Sequence, residues 1–252
     1  MIEAGRAVAA VVREAEVTFL AAAIAYYALV STLPAILLAV AVASTLGGEP
    51  LVETVLAQSE EFLTPEGRTA LGSALTGARG RSGATVVGIA VLLWSALRLF
   101  RGVDVAFSQV YGTTHVDSFL DGIRDALLVL VSVGLGLGVM VGVGGAIVTV
   151  SPAGGDALAL LLLLAGLSIV FFPLYYVFPD TDVRVREALP GTITTALGWV
   201  LLQAGFQVYA AGAAQFQVYG VIGGILLLVT WFYVAAVLLL VGAAVNCVLA
   251  ER

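Results

Sequence analysis

Apolar residues fall in long unbroken runs along this chain, separated by short charged stretches. Val17–Gly48 carries no charged residue, and Ala188–Ala250 is a run of 63 residues without one. Stretches such as ALALLLLLAGL (157–167) lack the alternation of a barrel strand. Roughly 20 apolar residues cross a bilayer as a helix, because backbone groups surrounded by lipid are satisfied only within their own segment. The pattern predicts six spans: Phe19–Leu46, Gly83–Val110, Ala126–Val150, Ala157–Phe178, Ala188–Ala211 and Gly220–Leu249. The expected fold is all-α, a polytopic six-transmembrane-helix bundle in which residues 1–252 form a single integral membrane domain.

Two stretches outside the spans also follow helical spacing. Residues 1–16 read as an amphipathic N-terminal segment lying along the membrane surface, with Arg6 and Arg13 beside lipid phosphates. In residues 49–82, Leu51, Val52, Val55, Leu56, Phe62 and Leu63 recur between Glu53, Gln58, Glu60 and Glu61. Thr64 before Pro65 and Glu66 then reads as an N-cap with proline at the first helical position. A small extracytoplasmic helical cap is expected there. A cleaved signal peptide is not, since the chain opens on a polar segment and the run that follows exceeds the ~7–15 residues of a signal-peptide core.

Charge sets the orientation. Only 11% of the 252 residues are charged, against about 25% in a soluble domain. All 11 basic residues are arginine, against 17 acidic ones; this fits a GC-rich genome or a saline habitat, and both point to a prokaryote. Six spans put both termini on one side, together with Arg6, Arg13, Arg98, Arg101, Arg124, Arg184, Arg186 and Arg252. Arg68, Arg79 and Arg81 fall on the other. The positive-inside tendency therefore predicts cytoplasmic N- and C-termini in a plasma membrane. An acidic chain without clustered cations argues against nucleic acid as a partner.

Polar residues inside the runs are the candidate chemistry. AIAYYALVSTLP (23–34) places Tyr27, Ser31 and Pro34 on one face. Pro34 cannot donate to the carbonyl of Val30, and Ser31 and Thr32 are candidates to satisfy the freed group. The face reads either as a packed structural kink or as a hinge and substrate contact. In the fifth span, Thr192, Thr195, Trp199, Gln203 and Gln207 follow three- and four-residue steps. Amides at membrane depth need partners, so this stripe is expected to glue helices together or to face a polar cavity.

The second span has only 16 uncharged residues, Ser82–Leu97, before Arg98. Arg98 therefore snorkels at the boundary or enters a polar cavity. Trp94, Arg98, Arg101 and Ser108 share a face, and Asp104 lies within reach of Arg101. With FPDTDVRVRE (178–187) they form either an inner gate or anionic headgroup site, or an ordinary solvated surface. Gly134, Gly138 and Gly142 in the third span read as close helix packing.

No enzyme constellation emerges. Cys247 is the single cysteine and His115 the single histidine, too few for a thiolate or imidazole metal cluster. GLGLGVMVGVGG (134–145) sits in a membrane span with no preceding strand, so a dinucleotide loop is excluded. Neither a metal nor a cofactor is expected.

Three stretches together resemble the YihY/BrkB membrane-protein family: AAAIAYYALVSTLPAILL (21–38), RGVDVAFSQVYG (101–112) and FQVYGVIGGILLLVTWFYVAAVLLLVGA (216–243). Tyr26, Ser31, Pro34, Asp104, Tyr219, Gly220, Trp231 and Gly242 match its motif positions. The resemblance implies a six-helix bundle in a prokaryotic plasma membrane. It also implies links to serum resistance and to moving envelope lipids, while an older ribonuclease label is generally regarded as mistaken. Relatives commonly carry an acidic residue where this chain has Ala244, and Asn246 nearby cannot titrate, so proton coupling through that carboxylate is not expected. The leading expectation is a transporter or flippase of an amphipathic envelope component, a lipid or polyprenyl-linked intermediate. A non-transport scaffold that recruits envelope proteins is the alternative, with a small-solute or ion channel behind it. Membrane lipids are the expected partners.

Overall fold

The computed structural model describes residues 2–46, 82–113, 131, 132, 134, 156–179, 181, 183–213 and 220–250. Among the described residues the chain is helical, with no strand. Its helices are α1 (Ile2–Glu14), α2 (Val17–Leu46), α3 (Ser82–Tyr111), α4 (Asp156–Val177), α5 (Val185–Ala213) and α6 (Gly220–Leu249). Five of the six expected spans coincide with α2 to α6 within a few residues. The third expected span and the expected cap over 49–82 lie almost wholly outside the described residues, as does His115. The chain divides into two compact units, one of Met1–Tyr26 and Phe100–Arg252, the other of Tyr27–Leu99.

Local chemistry fixes where the helices start and stop. α1 is amphipathic: Ala4, Ala7, Val8, Val11, Val12 and Ala15 turn inward, while Glu3, Arg6, Arg13 and Glu14 are exposed. Its apolar stripe packs on α6, so this segment is docked on protein as well as presenting arginines outward. Glu16 then adopts a left-handed backbone, with φ of 49°, at a cost of about 1–2 kcal/mol for a residue with a side chain. That turn lets the Glu16 carbonyl accept from the N–H groups of Phe19 (2.8 Å) and Leu20 (3.1 Å) and start α2.

At the end of α3, Gly112 has φ of 65°. The Gly112 N–H donates to the Gln109 carbonyl (3.4 Å), and the Thr113 N–H to the Ser108 carbonyl (2.9 Å). This is a Schellman cap, which needs a left-handed residue that glycine supplies without strain. α5 opens with the Glu187 carboxylate accepting from the Arg184 N–H at 3.3 Å, the returning half of a capping box.

Two helices are long and apolar enough to cross a membrane among the described residues, over Leu160–Val177 and Gly223–Leu249. α5 packs against both α4 and α6. Inside lipid, apolar burial against protein gains little over burial against acyl chains, so close approach and hydrogen bonding carry helix association. The buried residues match that demand. Ala188, Ala196, Ala236, Ala243 and Ala244 are all within 4% of full burial, and Tyr175, Phe107 and Leu240 are the largest of the fully buried side chains.

Candidate functional site

Where α4, α5 and α6 meet, side-chain hydroxyls and an amide reach into neighbouring backbones. The Tyr175 hydroxyl donates to the Leu239 carbonyl at 2.8 Å and also touches the Thr195 hydroxyl. Thr195 donates to the Leu238 carbonyl at 3.1 Å. Two hydroxyl protons serve three oxygen–oxygen contacts, so this cluster has no donor left for a ligand. Beside it, the Asn246 amide oxygen accepts from the Gly191 N–H at 2.6 Å. The Asn246 amide nitrogen donates to the Ala188 carbonyl at 3.2 Å, which also accepts from the Thr192 hydroxyl at 2.8 Å.

Glycines make this approach possible. A β-carbon at Gly242 would collide with the Thr195 and Tyr175 hydroxyls and lie 2.8 Å from the Gly191 carbonyl. One at Gly191 would overlap the Gly242 carbonyl and stand 2.6 Å from the Asn246 amide nitrogen. Pro190 precedes Gly191 inside α5, and its ring crowds the carbonyl four residues back; the adjacent N–H is served from α6. Tyr175, Thr192, Thr195 and Asn246 are at most 1% exposed. This region is a rivet through three helices, dry and closed.

An aromatic layer follows. Trp199 lies 5.3 Å from Phe171 and 6.0 Å from Trp231, and Phe206 meets Trp231 edge-on at 4.8 Å. Beyond it α5 opens: Leu201, Gln203, Ala204, Gly205, Gln207, Val208 and Tyr209 are all exposed. The polar stripe expected along α5 is thus split. Thr195 and Trp199 are engaged with α4 and α6, and Thr192 is buried with its hydroxyl on the Ala188 carbonyl of its own helix, while Gln203 and Gln207 are not on that seam. Helix geometry explains the split. At ~100° per residue, each four-residue step turns about 40° further, so Gln207 stands roughly 80° round from Trp199. Phe206, seven residues on from Trp199, stays on the seam.

On α3, Val103, Ala106, Phe107 and Val110 are buried. Phe107 packs 5.7 Å from Tyr175 and 5.6 Å from Phe178. The opposite face carries Trp94, Arg98, Arg101 and Val105, all exposed. The Arg98 guanidinium lies 5.1 Å over the Trp94 ring, a cation–π pair suited to a membrane boundary. Asp104 is half-buried, and the Ser108 hydroxyl donates to its carbonyl at 3.1 Å.

On α2, Tyr26 is exposed and Tyr27 half-buried. The Ser31 and Thr32 hydroxyls both donate to the Ala28 carbonyl, at 2.9 Å and 2.7 Å. They do not reach the Val30 carbonyl freed by Pro34. The reason is directional: a helical hydroxyl reaches carbonyls three or four residues back, never one or two. The backbone stays helical through Pro34. Of the family-motif positions, Gly220 begins α6, Trp231 joins the aromatic layer, Gly242 lies in the rivet, and Tyr219 is outside the described residues. Among the described residues no three His, Cys, Asp or Glu side chains gather as a metal site.

Tyr175, Gly191 and the pairing role of Asn246 were not legible as a site. The available signal was a tyrosine, an asparagine and two prolines, Pro173 and Pro190, inside apolar spans, where each needs a partner. Which helix supplies the partner is not written in a periodicity.

A family model described as Virulence factor BrkB matches residues 8–252. A UPF0761 membrane protein of Azoarcus sp. (strain BH72) is 26% identical over 243 residues, 91% of this chain and 59% of that protein. One from Pseudoalteromonas translucida is 28% identical over 251 residues, 94% of this chain and 83% of that protein. A Bacillus subtilis protein, YfkH, whose name calls it ribonuclease-like, is 34% identical over 87 residues. The match spans 32% of the Bacillus protein and 59% of the Azoarcus one. No solved structure matches the chain.

Proposed function

This chain belongs to the BrkB virulence-factor family of membrane proteins, and from that premise we propose that it moves an amphipathic envelope lipid across a prokaryotic plasma membrane. It acts as a transporter or flippase without chemical turnover. In this reading six spans cross the bilayer, the third lying within 126–150, and both termini face the cytoplasm, as the arginine distribution favours. α1 rests on α6 at the cytoplasmic surface.

One observation carries the proposal: Gln203 and Gln207 are exposed amides on the distal half of α5, amid apolar neighbours such as Leu201, Ala204 and Val208, next to a block whose own polar groups are satisfied. Amides at membrane depth are costly unless something polar meets them. A lipid headgroup passing along α5 supplies that partner, while Leu201 and Val208, 72% and 77% exposed, line a path for its chains. For the same activity we assign a hinge to Tyr27, Ser31 and Pro34 on α2 and a cytoplasmic gate to Arg98, Arg101 and Asp104 on α3. The test is reconstitution of the full chain into liposomes with labelled phospholipid and glycolipid probes. Protein-dependent movement of one of them, lost in Gln203→Leu with Gln207→Leu, supports the reading. Liposomes that behave as protein-free controls with every probe contradict it.

The scaffold reading draws on a different observation, the dry rivet of Tyr175, Thr195 and Asn246. A protein built only to hold other envelope proteins needs rigidity of that kind. It predicts stable co-purifying partners and no lipid movement.

A further inference from the structure

The distal half of α5 offers one kind of recognition chemistry. The 63 residues of Ala188–Ala250 contain no cation or anion. Phosphate recognition relies on arginine, lysine or the N–H groups of a helix start. The start of α5 and its exposed Arg184 and Arg186 lie about 27 Å along the helix axis from Gln203. What stands at Gln203 and Gln207 is two primary amides, each with two donors and one accepting oxygen. They are separated by about 6 Å along the axis, close to the width of one sugar ring. A hydroxyl group both donates and accepts, so a polyhydroxylated surface matches an amide pair better than a phosphate does.

The neighbours fit the same chemistry. Trp199 lies one turn before Gln203, and its half-buried ring packs 6.0 Å from that of Trp231. The faces of such rings are electron-rich and attract the weakly positive C–H edges of a pyranose. We infer that Gln203 and Gln207, with the Trp199 ring one turn before Gln203, take the neutral, hydroxyl-bearing headgroup of a glycosylated lipid. The inference rests on the lipid-handling reading above and narrows its substrate class.

The test uses the full chain in phosphatidylcholine nanodiscs, carrying Trp94→Phe so that Trp199 and Trp231 report alone. Glucosyl-diacylglycerol, phosphatidylglycerol and plain diacylglycerol are titrated while tryptophan emission is followed. The expected result is a saturable change with glucosyl-diacylglycerol only, its midpoint weakened about tenfold by Gln203→Leu with Gln207→Leu, the equivalent of two membrane hydrogen bonds. Equal midpoints for glucosyl-diacylglycerol and phosphatidylglycerol overturn the inference, as does a leucine variant that titrates like its parent. Liposome translocation separates the two layers of the claim. Movement of phosphatidylglycerol without glucosyl-diacylglycerol removes the sugar site and leaves lipid transport standing. Saturable sugar-lipid binding with no movement of any lipid does the reverse.

Discussion

The two halves of α5 obey different rules. From Ala188 to Trp199 its inward face is buried, Gly191 and Thr195 bond into α6 while Thr192 bonds the Ala188 carbonyl of its own helix, and Gly191 stands so close to Gly242 that a β-carbon has nowhere to go. From Leu201 to Tyr209 the helix is exposed on most sides, and a β-carbon at Gly205 would meet nothing within 4 Å. The same element is thus a fastening at one end and a surface at the other. The polar residues differ accordingly: threonines that bond backbone in the first half, long amides that reach away from it in the second. In the proposed transport, the fastened end holds the helix while the uncovered end meets the passing amphipathic molecule.

The strongest way to break this contrast is to add one carbon at each end. Gly242→Ala is expected to destabilise the detergent-solubilised protein by about 3 kcal/mol, because the new methyl meets two hydroxyls and a backbone carbonyl. Gly205→Ala is expected to stabilise it by up to about 1 kcal/mol, through helix propensity alone. Thermal unfolding of the two variants side by side decides the matter; equal shifts would mean that the halves are packed alike. Next in size, Asn246→Leu strands the Gly191 N–H in a dry interior and is expected to cost about 2 kcal/mol. Tyr175→Phe removes one donor from the cluster yet leaves the Leu239 carbonyl its helical partner, so a loss of only about 1 kcal/mol is expected in the same assay. Smallest of all, Gln203→Leu with Gln207→Leu should leave stability within about 0.5 kcal/mol of the parent while abolishing lipid movement. A large loss of stability there would make the amides structural.

Much of the architecture could be read from the chain. Uncharged runs located α2, α3, α4, α5 and α6 because lipid forces a helix on any such run. The amphipathic spacing of residues 2–16 announced α1, though not that its apolar stripe docks on α6. The site was half legible. Thr195, Gln203 and Gln207 stood out as polar groups in an apolar span, and their shared spacing suggested one face. Spacing by fours hides a drift of about 40° per step, and that drift is what separates Gln207 from Trp199. Tyr175 and Asn246 were harder, since they lie in helices 64 and 58 residues away from the backbone oxygens they reach. Ser31 and Thr32 taught a narrower lesson: a hydroxyl beside a proline does not serve the carbonyl that the proline frees.

Lipid passage along α5 requires Gln203 and Gln207 to meet water or headgroup rather than acyl chains or packed protein. Single cysteines at Gln203, Gln207 and Thr195, introduced with the buried native Cys247 replaced by alanine, test this in intact membranes with a polar, membrane-impermeant thiol reagent. The prediction is rapid modification of Gln203→Cys and Gln207→Cys, with Thr195→Cys untouched until the protein is denatured. If all three resist the reagent equally, the distal half of α5 offers no wettable surface, and the transport proposal fails with it.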